Sequence, residues 1–168
     1  MSRIVLVTGG ARSGKSRIAE TRCLLNADTA IYIATGQAGD DEMQARIQEH
    51  QARRGPEWRT IAEPIRLVAA LTDSNGTGPR LVDCLTLWLS NLMLSDRDWQ
   101  AAVSELVTCL AQQTSPVVLV TNEVGMGIVP ENALARAFRD AAGKMNQQVA
   151  SVADEVIFAV SGLPLRVK

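Results

Sequence analysis

Histidine and aromatic residues are scarce in this chain of 168 residues: it has one histidine, one tyrosine, two phenylalanines and three tryptophans. A single imidazole excludes any histidine cluster for metal binding and makes His50 the sole carrier of histidine chemistry. The three cysteines, Cys23, Cys84 and Cys109, form no C-x-x-C pair, and an odd number argues against a disulfide framework. They are expected to be buried thiols in a reducing cytosol. A net charge of −1 offers no field for nucleic acid or an acidic membrane, so any anion site must be a local cluster. No apolar run approaches the roughly 20 residues that a membrane span needs. Met1-Ser2-Arg3 leads directly into an apolar run that ends in a glycine loop, without the longer apolar segment and small-residue cleavage site of a signal peptide. The expectation is a cytoplasmic protein.

Apolar residues make up 46% of the chain and charged residues 21%, the balance of a globular protein, and the length suits one domain spanning 1–168. Ile4–Val7, Ala30–Ala34, Arg80–Asp83, Pro116–Thr121 and Glu155–Val160 are short runs rich in β-branched residues, which predict buried strands. Trp58–Ile61 and Leu163–Val167 are further strand candidates. Between them, helices are predicted at Lys15–Asn26, from Asp40 to about Arg54, and at Ile65–Thr72, Leu85–Leu94, Trp99–Gln113 and Asn132–Val152. The last should bury a stripe of Leu134, Phe138, Ala141, Met145, Val149 and Val152. Strands alternating with helices predict an α/β fold with a mainly parallel sheet flanked by helices.

The first strand ends in Gly9-Gly10-Ala11-Arg12-Ser13-Gly14-Lys15-Ser16, which satisfies G-x-x-x-x-G-K-[ST] between a strand and a helix. Glycines let several backbone N–H groups converge on phosphate oxygens, and the following helix adds its positive end. Lys15 can then reach the β- and γ-phosphates of ATP or GTP, while the Ser16 hydroxyl ligates Mg²⁺. A carboxylate ending a neighbouring strand completes such a metal site, and Asp83 is placed for it; the alternative is a helix cap.

On the helix predicted from Asp40, Arg46, His50 and Arg54 fall at i, i+4 and i+8, with Arg53 close to the same face. Guanidinium charges disfavour the imidazolium and keep the ring neutral, hence nucleophilic, and they also suit phosphate oxygens. A histidine attacking the α-phosphorus of a nucleotide would use this arrangement. From the spacing alone, a solvated helix face with incidental arginines is the simpler reading.

Taken together, the chain resembles the bifunctional adenosylcobinamide kinase/adenosylcobinamide-phosphate guanylyltransferase family of cobalamin biosynthesis. The likeness is carried by Leu6 to Ser16, Tyr32-Ile33-Ala34-Thr35, Asp41-Glu42-Met43, Arg46-Ile47, His50, Trp58-Arg59-Thr60 and Glu63. It continues through Val118 to Pro130, Arg136, Phe138-Arg139-Asp140, Gly143, Asn146, Ala153-Asp154-Glu155 and Val160-Ser161-Gly162. It implies a P-loop NTPase, RecA-like architecture and a homotrimer. It also implies phosphorylation of the aminopropanol hydroxyl of adenosylcobinamide with ATP or GTP, then transfer of GMP from GTP through a histidine-linked intermediate. By position, His50 is the guanylylated residue, and Lys15 serves phosphoryl transfer. The nucleotide would be held by Gly9, Gly10, Ala11, Arg12, Ser13, Gly14, Lys15 and Ser16, by Thr35, Gly36 and Gln37, by Gln51, Ala52, Arg53 and Arg54, and by Glu63 and Asp83. Mg²⁺ would sit on Ser16 and Asp83, the latter at a position where the family also carries glutamate.

A P-loop alone would also fit a small-molecule kinase without guanylyl transfer, or a nucleotide-switched regulatory module. Glu123, after a central strand, has two roles open to it: contacting substrate or metal, and bracing the Gly125–Gly127 loop. Arg136 and Arg139 fit a solvated helix face, and Trp58, Trp88 and Trp99 fit core or interface positions.

Overall fold

The computed structural model describes residues 4–37 and 54–168. The strands are β1 (Ile4–Gly9), β2 (Ala30–Ala34), β3 (Trp58–Ala62), β4 (Arg80–Asp83), β5 (Val117–Asn122), β6 (Glu155–Val160) and β7 (Leu163–Arg166). The helices are α1 (Lys15–Cys23), α2 (Leu67–Asp73), α3 (Leu85–Leu94), α4 (Trp99–Ala111) and α5 (Ala133–Val152). All seven strands join one sheet in the order β3-β2-β4-β5-β1-β6-β7. Every pairing is parallel except that of β7, which returns antiparallel on β6. The expected α/β architecture is therefore present.

Parallel strands covered on both faces need apolar side chains at every position, which is why β1 and β5 read as unbroken runs. On one face Ile4, Leu6, Ile33, Val82, Val117 and Leu119 pack against Leu71, Leu85, Trp88, Leu89, Leu106, Leu110, Met145 and Val149 from α2 to α5. On the other face Val5, Val7, Tyr32, Leu81, Val118 and Val120 pack on Ala19 and Cys23 of α1. Each large aliphatic side chain so buried contributes about 1.5–3 kcal/mol.

The elements predicted among the described residues hold, with shifts at their ends that have local causes. Helix α2 begins at Leu67 rather than Ile65 because the Glu63 carboxylate accepts the Ile65 and Arg66 N–H groups at 3.2 and 2.8 Å. Helix α4 ends at Ala111 rather than Gln113, since Gln113 turns inward to accept from Arg80 Nη2 at 2.8 Å. Helix α1 ends at Cys23 rather than Asn26, where the chain turns through an Ala27 N–H to Leu24 carbonyl bond of 3.2 Å. Leu134, expected in the core stripe of α5, is 58% exposed because it lies in the first turn, beyond the packed part of the helix. Trp88 is a core residue, and its indole N–H donates to the Ile65 carbonyl at 2.8 Å. The helix predicted from Asp40 lies outside the described residues, except that Arg54 precedes a turn closed by Trp58 N–H on the Gly55 carbonyl at 3.2 Å.

The register decides where a ligand can sit. Gly9 lies opposite Asn122 of β5 and Ala159 of β6, while Asp83 lies opposite Val120 of β5 and Ala34 of β2. The carboxyl ends of β1, β2, β4 and β5 thus form one edge, the usual ligand edge of an open α/β sheet.

Candidate active site

The loop between β1 and α1 is shaped by close backbone approach. A Cβ on Gly9 would lie 2.7 Å from Ser13 Oγ and 2.8 Å from the Ala159 carbonyl oxygen, so only glycine fits there. Gly14, the N-cap of α1, has φ 87°, and the Ser13 carbonyl beside it accepts the Gly162 N–H at 2.9 Å. The turn between β6 and β7 therefore supports the loop. No side chain caps α1, so its first N–H groups point along the loop without a side-chain acceptor, the arrangement that favours phosphate oxygens.

Lys15 Nζ donates to the Gly10 carbonyl at 3.0 Å, folding the ammonium over the loop. Burial lowers its pKa from the ordinary lysine value, while Cys84 and Asp83 pull it back up. Asp83 is thus close enough to act on Lys15 although β5 lies between β4 and the strand β1 that leads into the loop. Asp83 does not cap α3: Cys84 is the N-cap, without a side-chain bond. Instead Asp83 Oδ2 accepts from the Tyr32 hydroxyl at 2.8 Å. The Tyr32 phenol is held well above its ordinary pKa, first by burial and then by the Asp83 charge, so it remains a donor. Arg54 stacks on the Tyr32 ring at 3.7 Å from its centroid, a cation–π contact.

Mg²⁺ prefers hard oxygen ligands and usually takes one or two from protein while keeping waters and substrate phosphates. Ser16, opening α1, and Asp83, ending β4, supply a hydroxyl and a carboxylate at the same sheet edge, which fits that demand. Ser13 Oγ is buried with no hydrogen-bond partner among the described residues, which further suits a phosphate-bearing ligand in the loop. Among the described residues no group of three or more His, Cys, Asp or Glu is placed to hold a metal ion.

Residues 5–167 match the family model described as CobU: Cobinamide kinase / cobinamide phosphate guanyltransferase. The chain belongs to this family. Its members' chemistry makes it an enzyme, a bifunctional kinase and nucleotidyltransferase of cobalamin biosynthesis. The chain is 47% identical over 167 residues to the bifunctional adenosylcobalamin biosynthesis protein CobP of Pseudomonas aeruginosa, covering 97% of this chain and 96% of that one. It is 43% identical over 181 residues to the protein CobU of Escherichia coli K12, covering 98% and 99%. Solved structures of the same fold include the RadB recombinase, at TM-score 0.54 and 14% identity over 93% of this chain and 73% of that one. A type III secretion ATPase aligns at TM-score 0.58 and 13% identity, over 93% and 50%. These distant likenesses show the P-loop NTPase fold, consistent with a RecA-like architecture.

Other expected family-site residues take several positions. His50, Gln51, Ala52 and Arg53 lie outside the described residues. Ala11 and Arg12 are exposed at the loop tip, Arg12 with φ 54°. Thr35 is fully buried and links β2 to β4: its hydroxyl donates to the Cys84 carbonyl at 2.7 Å and accepts the Cys84 N–H at 2.8 Å. Gly36 and the exposed Gln37 follow it on the ligand edge. Glu63 directs one carboxylate oxygen to the start of α2.

Two features of the edge were missed by the sequence reasoning. Tyr32 touches Asp83 across 51 residues, a contact visible only once β2 is known to neighbour β4. Thr86, Thr121 and Asn146 form a polar chain behind β5: Thr121 Oγ1 lies 3.3 Å from Thr86 Oγ1 and donates to Asn146 Oδ1 at 2.8 Å, while Thr86 Oγ1 accepts the Asn122 N–H at 2.7 Å. Of these, Thr121 and Asn146 had a signal in the resemblance. Glu123 braces its own loop, accepting from the Gly125 and Met126 N–H groups at 2.6 and 3.1 Å. Arg136 clasps the same segment by donating to the Pro130 and Glu131 carbonyls at 2.9 and 2.6 Å. Arg139 lies 3.5 Å from Asp140.

Proposed function

We propose that one domain, residues 1–168, carries both steps on adenosylcobinamide, with its P-loop binding the triphosphate and His50 carrying GMP between them. The observation that supports this best is the uncapped, glycine-bent start of α1 with Lys15 folded over it and Asp83 acting on the same lysine. In the kinase step the aminopropanol hydroxyl of adenosylcobinamide attacks the γ-phosphorus of ATP or GTP and the nucleoside diphosphate leaves. The amides of residues Gly9 to Ser16 and the Lys15 ammonium stabilise the charge that builds on the transferring group. Ser16 and Asp83 would hold Mg²⁺, which would neutralise charge on the phosphates.

In the second step an imidazole nitrogen of His50 attacks the α-phosphorus of GTP, forming a P–N bond and releasing pyrophosphate. The phosphate of adenosylcobinamide phosphate then attacks that phosphorus, breaks the P–N bond, restores the imidazole and gives adenosylcobinamide-GDP. Splitting one difficult displacement in two is the gain from covalent catalysis. Arg53 and Arg54 supply positive charge to the phosphates of GTP, and Thr35, Gly36, Gln37, Gln51, Ala52 and Glu63 complete the nucleotide site.

The assembly is a homotrimer in the cytoplasm. In support of an interface, the large apolar side chains of Met126, Ile128, Val129 and Leu134 are all exposed, Ile128 by 97%. Among the described residues no helix is long and apolar enough to cross a membrane.

Incubation with α-labelled GTP tests the covalent step. An acid-labile, alkali-stable protein label that disappears in His50→Ala, with phosphorylation of adenosylcobinamide retained, supports it. A label that persists in His50→Ala, or loss of both activities in a correctly folded variant, overturns it.

A further inference from the structure

Asp83 is a four-residue strand's last residue, and its carboxylate needs something to fix its rotation if it is to face a metal beside the phosphate loop. Among the described residues, its hydrogen-bond partner is the Tyr32 hydroxyl, at 2.8 Å from Oδ2. That hydroxyl is itself immobilised. Tyr32 is 4% exposed, Arg54 lies against one side of its ring at 3.7 Å from the centroid, and Trp58 meets it edge-on with centroids 5.9 Å apart at 88°. Strand β2 pairs with β4 in parallel register, Tyr32 opposite Leu81 and Ala34 opposite Asp83, so the phenol reaches forward along its own strand to the carboxylate.

Burying a tyrosine hydroxyl requires a partner, but a backbone carbonyl would have satisfied that need as well. Donating to Oδ2 does something more specific: it leaves Oδ1 for a metal ion or its water and sets the plane of the carboxylate.

We propose that Tyr32 is a positioning residue of the nucleotide site, whose hydroxyl holds the Asp83 carboxylate in the orientation that receives the divalent cation. This rests on the assignment of Asp83 to magnesium. Partners that orient a ligating carboxylate typically change metal affinity by about 10- to 100-fold when removed. Tyr32→Phe keeps the ring, and with it the Arg54 and Trp58 contacts, and removes only the oxygen.

The test is Mn²⁺ binding to the full chain in the presence of GTP, followed by the electron paramagnetic resonance of the free ion, alongside kinase kinetics and thermal melting. In Tyr32→Phe, Mn²⁺ affinity should fall about tenfold, GTP affinity in EDTA should be unchanged, and kcat should recover at saturating metal. Asp83→Asn should lose more affinity, and adding Tyr32→Phe to it should cost nothing further. Unchanged Mn²⁺ affinity in Tyr32→Phe, whatever its melting temperature, overturns the role of Tyr32 while Asp83→Asn still reports on the metal. Unchanged Mn²⁺ affinity in Asp83→Asn overturns the metal assignment beneath it.

Discussion

Gly14 and Gly162 meet backbone to backbone: a Cβ on Gly14 would lie 3.0 Å from the Gly162 Cα. The phosphate loop therefore rests on the turn between the last two strands, and Gly162 N–H donates to the Ser13 carbonyl beside it at 2.9 Å.

Two substitutions separate space from strain at this contact. Gly14→Ala meets both the φ of 87° and the facing backbone, so the loop must move. Gly162→Ala meets the φ of 83° alone, since its Cβ would have only Arg17 Nη2 nearby, at 3.9 Å. Gly14→Ala should abolish binding of a fluorescent GTP analogue, whereas Gly162→Ala should lower stability by about 1–2 kcal/mol and weaken binding less than tenfold. Equal binding losses in the two variants would show that the contact does not set the loop.

Arg80 predicts a stability effect at the far end of the sheet. Its side chain is fully buried and donates to the Ser74 carbonyl, Asn75 Oδ1, Gln113 Oε1 and the Ser115 carbonyl, at 2.8 to 3.2 Å. The guanidinium thus ties two loops together with carbonyl oxygens rather than a carboxylate. Arg80→Ala leaves the buried Ser74 and Gln113 oxygens without this donor and should cost about 3–5 kcal/mol in urea unfolding. GTP affinity per folded molecule should be unchanged, because Arg80 begins the strand whose other end carries Asp83.

These residues also show what the sequence could and could not reveal. Strands β1 and β5 and the Gly9–Ser16 loop were legible because burial on both faces and phosphate contact each demand a particular residue pattern. Arg80 was not: a buried guanidinium whose two terminal nitrogens donate to loop oxygens has no signature in spacing. Tyr32 looked like one more apolar strand residue until strand order put Asp83 beside it. Glu63 was assigned through the resemblance to nucleotide, yet Oε1 accepts the Ile65 and Arg66 N–H groups, a local capping contact that sets where α2 begins. Periodicity put Leu134 inside because it reports a face, not where along a helix the packing stops.

Cys23 sets an alkaline limit on stability. Burial pushes its thiol up from 9.0 to about 12, against a smaller opposing pull from Arg80. Above pH 9 the unfolded chain releases this proton while the folded chain keeps it. The unfolded state then binds fewer protons, so stability falls as pH rises from about 9 to 12, by at most about 1.4 kcal/mol per pH unit for this group. The contribution is fully present below pH 9. Urea unfolding between pH 8 and 11 should show this slope, and Cys23→Ala should reduce it, leaving the like contribution of Cys84, whose thiol burial also pushes up to about 12. An unchanged slope in Cys23→Ala would assign the alkaline loss to other groups.

Glu123 offers the sharpest separation between a brace and a chemical role at the ligand edge. Both of its carboxylate oxygens accept N–H groups of its own loop, from Gly125 and Met126, while its backbone N–H donates to the Gly9 carbonyl at 3.0 Å. The side chain thus shapes the segment beside the phosphate loop, and the backbone bond that anchors the segment survives any substitution except proline. Glu123→Ala should lower stability by about 1 kcal/mol, the usual cost of losing an exposed capping carboxylate. A loosened loop should raise KM for the corrinoid several-fold with GTP affinity unaltered, and Glu123→Gln, whose amide oxygen still accepts one N–H, should recover part of that loss. If Glu123→Gln instead lost kcat by a hundredfold or more at unchanged corrinoid KM, the carboxylate charge would be serving the transferred phosphoryl or guanylyl group, and the brace would be secondary.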